Sequence, residues 1–183
     1  MTPQALVIAH TWDGAPAAPG ERARIGVIAG GDHLRLEVDA PLHGDPAPAA
    51  PPGPTDGLWE HEVVEVFFLG ADARYTEVEL GPHGHHLVLR LEGHRNAVER
   101  LLPLRFDARH EGARWRGVAV VPLELLPPGP LRVNAYAIHG AGAGRRYLAM
   151  TPVPGPHPDF HRLEAFVVPL TAGPPDDVNR QPS

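Results

Sequence analysis

Apolar and polar residues alternate along "HLRLEVDA", residues 33–40, with Leu34, Leu36 and Val38 on one side and Arg35, Glu37 and Asp39 on the other. A strand with one buried face has this period of two. "ALVIAH" and "RARIGVI" precede it, and "EVVEVFFL", "RYTEVEL", "HLVLRL", "LPLRFDAR", "ARWRGVAVV", "LRVNAYAIH", "RRYLAM" and "LEAFVVPL" follow as further short strands set off by Gly and Pro. Strands recurring at such spacing predict an all-β fold, a two-sheet antiparallel β-sandwich of the jelly-roll type. Helical periodicity is brief: "LEGHRNAVERLL" and "PLELLPPG" each predict a turn or two of helix, the second ended by Pro127 and Pro128. A single domain over residues 1–170 is the expectation, interrupted by a Pro-rich loop at 40–57 that is mobile or polyproline-like and precedes Trp59. Residues 171–183, "TAGPPDDVNRQPS", have the composition of a flexible tail.

Two of these strands carry an anomaly. "VVEVFFLGADARYTEVEL", Val63 to Leu80, is apolar enough for a core, yet contains Glu65, Glu77 and Glu79. Residues two apart share a strand face, so Tyr75, Glu77 and Glu79 point one way, and a hairpin through "GADA" can set Glu65 beside Glu79 in one of two registers. Charged residues are usually solvated, and Arg74, Arg90 and Arg95 are available as counterions on a wet face. Glu65 fits that picture least, because its neighbours are Val63, Val64, Val66, Phe67 and Phe68, and a carboxylate among them needs a partner to offset its desolvation.

Composition narrows the chemistry. The 183 residues contain no cysteine, which removes disulfides, thiolate nucleophiles and Cys-based zinc sites. Every one of the 16 basic residues is arginine, so no lysine can form a Schiff base, and the only serine is Ser183 at the end of the chain. A formal net charge of −6 argues against nucleic acid as a partner. The opening "MTPQALVIAHTWDG" has no cationic leader, and no window approaches the roughly 20 apolar residues of a membrane helix, so a cytoplasmic protein with no membrane partner is expected.

Twelve histidines raise the question of metals. "GPHGHH", with His83, His85 and His86, reads first as a turn, and "IHGAGAGRR" as a flexible hairpin loop lacking the strand-loop-helix context of a phosphate site. "PDFHRLEAF" reads as a surface ion-pair cluster of Asp159, His161 and Glu164 with Arg162, and Trp12 and Trp115 read as packing residues. Hard cations could be held by Glu and Asp oxygens, although no EF-hand loop is present. The sequence names neither a metal nor a cofactor.

"LWEHEVVEVFFLGADARYTEVELGPHGHH" resembles the central signature of family-nine carbohydrate-binding modules and their DOMON-like relatives: a tryptophan, an acidic stretch, a Val-Glu strand, a turn, a Tyr-x-Glu strand and a Pro-Gly hairpin. The longer pattern, with "GHRN", "NAYAIHG" and "PDFHRLEAF", is similar to an uncharacterised family of soluble proteins found in bacteria and animals, over most of Leu58 to Phe166. The resemblance to the modules implies a jelly-roll-like, DOMON-like sandwich that recognises the end of a sugar chain. It carries a sugar-contacting role onto Trp59 and Glu65 and a late asparagine onto Asn134, whereas the second stacking tryptophan has no obvious equivalent, Phe160 being the nearest candidate, and Ala137 stands where an arginine is common just after that asparagine. Independently, a pyranose needs a flat aromatic surface plus carboxylate, amide or guanidinium groups, and Trp59, Glu65, Glu77, Arg90 and Asn134 include each type. The expected function is non-catalytic binding of a small polar ligand, a carbohydrate, by Trp59, Glu65, Glu77, Glu79, Arg90, Asn134 and Phe160. Three alternatives stand beside it: a glycosidase-like enzyme using two of the glutamates, a haem or cofactor carrier of the DOMON-like kind with Met150 as the one internal methionine, and a structural partner-binding sandwich.

Overall fold

The short alternating segments form strands, and the computed structural model, which describes residues 3–171, pairs them into two antiparallel sheets. In chain order the strands are β1 (Gln4–Ile8), β2 (His10–Thr11), β3 (Ala23–Ala29), β4 (His33–Pro41), β5 (Val63–Leu69), β6 (Arg74–Leu80), β7 (His86–Glu92), β8 (Ala97–Glu99), β9 (Arg105–Glu111), β10 (Arg114–Pro122), β11 (Arg132–His139), β12 (Arg146–Ala149) and β13 (Val168–Pro169). The smaller sheet has the order β1-β3-β4-β10-β9, and the larger β2-β12-β11-β5-β6-β7-β8, with β13 also on β11. This is the two-sheet sandwich that the alternation predicts. The tail expected at 171–183 lies, apart from Thr171, outside the described residues. Among the described residues no helix is long and apolar enough to cross a membrane.

The main core fills the space between the sheets. Leu34, Leu36 and Val38 of β4, with Trp115, Ala119 and Val121 of β10, meet Val64, Val66 and Phe68 of β5 and Val133 and Ala135 of β11, all buried. Trp115 is thus a packing residue. A second apolar cluster lies on the opposite face of the larger sheet, where Val63, Phe67, Tyr75, Leu89, Leu91, Tyr136 and Ile138 are covered by Leu58, Val153, Phe160 and Phe166, with Trp12 packed at its margin. With both faces covered, all seven residues of β5 are buried, and its near-continuous apolar run follows from that.

Three segments differ from the sequence expectation, and in one of them "LEAFVVPL" forms a 3-10 turn at Leu163–Ala165 followed by only the two-residue β13, not a continuous strand. The stretch 91–102 turns back as a hairpin into β8 instead of forming a helical turn, because Gly93 and Arg95 adopt left-handed backbone (φ 75° and 57°) and the Glu92 amide donates to the Asn96 carbonyl. The second brief helix is present as a 3-10 turn at Leu123–Leu125. The Pro-rich loop, which begins only after Pro41, is tied down. Its amides at Gly53 and Thr55 donate to the carbonyls of Gly84 and His86, and the buried Glu62 carboxylate accepts from the amides of His43, Gly44 and Asp45 at 2.9, 3.1 and 3.3 Å. Asp45 in turn accepts from the Gly140 amide at 2.6 Å, joining the loop to the β11–β12 connection.

Hydrogen bonds to a buried charge contribute about 1.5–3 kcal/mol each. Glu62→Ala is therefore expected to speed amide exchange at His43, Gly44, Asp45 and Gly140 while Gly53 and Thr55 stay protected. Uniform acceleration from 43 to 56, or none, would show by hydrogen-exchange mass spectrometry or NMR that Glu62 does not anchor the loop.

Candidate binding site

The outer face of the larger sheet opens into a pocket of about 550 Å³, within the usual range for small-molecule sites. Its floor is set by register. Glu65 pairs across strands with Glu79 on β6 and with Tyr136 on β11, and Phe67 pairs with Glu77, so Glu65, Glu77 and Glu79 project from the same face of the sheet. Glu65 and Glu77 line the pocket, and Glu79 lies beside them, fully buried.

The three carboxyl groups crowd one another. One oxygen of each lies within 4.8 Å of an oxygen of the other two. The solvated-face reading of these glutamates is overturned: they are 2, 3 and 0% exposed, and their expected counterions are engaged elsewhere. Arg74 pairs with Asp72, Arg90 with Glu99 and Arg95 with Asp159. Burial is the main cause that holds all three carboxyls above the usual carboxylate range, Glu77 at about 7. Mutual repulsion adds to this at Glu65 and Glu79, whereas Arg145 near Glu65, and Arg95 and Arg100 near Glu77, pull the other way. Neither oxygen of Glu79 nor Oε2 of Glu77 has a hydrogen-bond partner among the described residues. Two ionised carboxylates only accept, so Glu77 and Glu79 can bond to each other only when one keeps its proton.

The walls come from four segments. Trp59, 37% exposed, sits in the 3-10 turn Leu58–Glu60, which Gly57 enters in left-handed backbone (φ 73°) and which buried Leu58 anchors. Arg145 fixes that turn by donating to the carbonyls of Trp59 (2.5 Å), Glu60 (2.9 Å) and Gly140 (3.0 Å), and its guanidinium lies 5.7 Å from the Tyr147 ring centre. Tyr147 enters the wall because β12 pairs it with Ile138. Phe160, from the segment that crosses the outer face, stacks on Tyr136 with ring centres 3.9 Å apart. Arg95, Arg100 and His161 complete the rim.

His161 has a defined role in that rim. The Tyr75 hydroxyl accepts from the Arg95 amide (3.2 Å) and shares a hydrogen bond with Nδ1 of His161 (2.8 Å). Burial, with Arg95 nearby, lowers the His161 pKa to about 4, so the ring is neutral at pH 7. Asp159, held at about 2 against its burial by His94 and Arg95, is the fixed anion beside it. The expected surface cluster therefore divides: Arg162 pairs with Glu164, while Asp159 and His161 turn inward.

Of the residues singled out from sequence, Trp59, Glu65, Glu77 and Phe160 line one pocket, and Glu79 adjoins it. Arg90 does not reach it. Its guanidinium bonds to Glu99 and to the carbonyls of Glu124 and Leu125 on the other face. Asn134 is also outside the lining: its amide nitrogen donates to the Tyr136 hydroxyl and to the carbonyls of Thr151 and Ala165, and its oxygen accepts from the amides of Ala135 and Thr151. It clasps the segment carrying Phe160 onto β11. Tyr147 and Arg145 were not singled out from sequence, because only the β11–β12 register and the turn at Trp59 bring them in, nor was Arg100, which reaches the pocket from the end of β8 and is paired with Asp56. The histidines of "GPHGHH" do not converge: His85 bonds to the Ala50 carbonyl, His83 packs on His110, and His86 packs on Phe106. Met150 packs against the main core.

A carboxyl whose pKa is raised by folding stabilises the fold below about pH 4.5, and that contribution is lost as pH rises through about 7. In chelator-treated protein, Glu77→Gln is expected to raise Tm by roughly 5–10 °C at pH 8 and to change it little at pH 5. Equal effects at both pH values in thermal melts would show that Glu77 carries no raised pKa.

No family model matches the sequence. The chain is 48% identical over 168 residues to the UPF0462 protein C4orf33 homolog of Danio rerio, covering 87% of this chain and 85% of that one, and 44% identical to UPF0462 protein C4orf33 of Homo sapiens, covering 87% and 84%. Among solved structures it is similar to a Bacteroides uniformis protein proposed to bind carbohydrate, with a TM-score of 0.69 at 19% identity over 90% of this chain and 84% of that one. It is also similar to a family-nine carbohydrate-binding module of Caldicellulosiruptor kristjanssonii solved with cellotriose, with a TM-score of 0.56 at 9% identity over 81% and 73%. These likenesses establish the sandwich fold. At the identity and coverage it shares with its animal relatives, the chain belongs to the UPF0462 (C4orf33) family.

Proposed function

We propose that the outer pocket binds the end of a saccharide. The observation that carries this reading is the meeting of Trp59, Tyr147 and Phe160 with Glu65 and Glu77 in one cavity. Aromatic faces suit the C–H side of a pyranose, and carboxyl oxygens accept from its hydroxyls. The N–H groups of Arg95, Arg100 and Arg145 that are not engaged with Asp159, Asp56 and the backbone carbonyls add donors for ring or glycosidic oxygens. Structural likeness to modules solved with cellotriose and with glucose supports the same ligand class.

The glycosidase alternative is supported less well. Its two carboxyls stand about 5–5.5 Å apart for retention, or about 6.5–9.5 Å for inversion, flanking the bond to be cut. Here the nearest oxygens of the three are closer, and Glu79 is sealed below the pocket.

Titration calorimetry against mono- and disaccharides tests the proposal. Saturable heat is expected from the unmodified protein, with affinity at least about tenfold weaker in Trp59→Ala and Glu65→Gln, since one lost stacking or polar contact is worth about 1.4 kcal/mol or more. Arg90→Gln is expected to bind as the unmodified protein does. Absence of heat from every sugar with folded protein, or loss of binding in Arg90→Gln alone, would overturn the assignment.

A further inference from the structure

Other half-buried or buried carboxylates of this fold have partners. Glu21 is paired with Arg146, Asp39 with Arg114, Asp159 with Arg95, and Glu62 with three backbone amides. Glu77 and Glu79 differ: three of their four oxygens are sealed from solvent with no donor among the described residues. The arginines nearest this cluster bond to other groups and not to it, Arg95 to Asp159, Arg100 to Asp56, and Arg145 to the carbonyls of Trp59, Glu60 and Gly140.

We infer that Glu65, Glu77 and Glu79 form a binding site for one hard divalent cation at the floor of the pocket. Oxygens around a common ion at about 2.1–2.5 Å are separated by no more than about 5 Å, and one oxygen from each of these glutamates meets that limit, all within 4.8 Å of one another. The ligands stand on the adjacent central strands β5 and β6, where hydrogen-bonded register fixes their spacing. Three carboxylates with no histidine or cysteine among them select the Mg²⁺, Mn²⁺ and Ca²⁺ class over softer metals. An ion also answers the cost of the cluster, since isolated buried carboxylates are strongly disfavoured and a divalent charge offsets most of three negative ones. Glu65 and Glu77 line the open pocket, which gives the ion an entry path and leaves coordination positions facing the cavity. On the saccharide reading proposed above, sugar hydroxyls complete that coordination, so the cation belongs to the ligand site itself.

The experiment uses the full chain after dialysis against chelator, with no sugar present. Mn²⁺ is titrated and followed by the electron paramagnetic resonance of the free ion, and Ca²⁺ by calorimetry. One ion per chain is expected, accompanied by a rise in Tm, with affinity at least tenfold weaker in Glu77→Gln and in Glu79→Gln and unchanged in Glu111→Gln. Glu79→Asp, which keeps the charge and withdraws the oxygens by one methylene, is expected to weaken binding similarly and serves if the glutamine variants do not fold. No saturable binding of either ion at millimolar concentration, or binding that persists unchanged in folded Glu77 and Glu79 variants, would overturn the site. Repeating the saccharide titration with Mn²⁺ and then with chelator reads the second half: sugar affinity that depends on the ion supports shared coordination, and equal affinity in both overturns it. Because the ion is measured alone, its failure would leave the saccharide result standing, and the reverse holds too.

Discussion

Burial of the outer face of the larger sheet is the constraint on which the rest of this molecule depends. A sandwich needs only its inner faces covered, and the smaller sheet follows that rule with charged residues such as Arg35 and Glu37 turned outward. The larger sheet does not. Leu58, Val153, Phe160 and Phe166 pack onto its outer side and convert a surface into a second core with an opening in it. Asn134 makes this cover stick: its side-chain amide bonds to the backbone at Thr151 and Ala165, giving the crossing segment hydrogen bonds that a sheet face cannot otherwise supply. The pocket is the part of that face left uncovered between the crossing segment and the turn at Trp59.

The sandwich was legible because its signal is local. Each strand of the smaller sheet alternates, as β4 and β10 do, and turn residues separate the strands cleanly. The outer-face burial was less legible, because a strand covered on both sides loses its alternation. In β5 the seven consecutive buried residues read as a strongly apolar strand, and nothing in that run says what lies on its second face. Glu65 was the clue. A carboxylate in such a run either faces water or has a reason to be buried, and which of these holds depends on Phe160 and Phe166, almost a hundred residues away.

The site divides along the same line. Trp59, Glu65 and Glu77 were legible as a motif because strand and turn place them within twenty residues of one another. Arg90 was misplaced by parity alone: Leu89 and Leu91 face the pocket, so Arg90 must face away, and it bonds to the 3-10 turn at Glu124 and Leu125. Asn134 is on the correct face, yet its hydrogen-bonding capacity is consumed by backbone, which no spacing rule discloses. Tyr147 and Arg145 depend on a hairpin whose Gly-rich connection hides its register from the sequence.

These features bear on why the cluster tolerates its own electrostatics. Replacing three buried glutamates by apolar residues would relieve repulsion and desolvation at once, and the surrounding shell of Phe67, Leu87, Leu89 and Tyr136 is already suited to it. The fold instead keeps them on its two most central outer-face strands, with the nearest arginines bonded elsewhere. Groups retained at such a cost to stability are what a binding site looks like before its ligand arrives, since the energy withheld from folding is recovered when a cation, or a ligand rich in donors, enters. On the saccharide reading proposed above, the aromatic walls would meet the apolar face of the ligand and the carboxyl floor its polar groups, two complementary surfaces that the fold brings together on one sheet face.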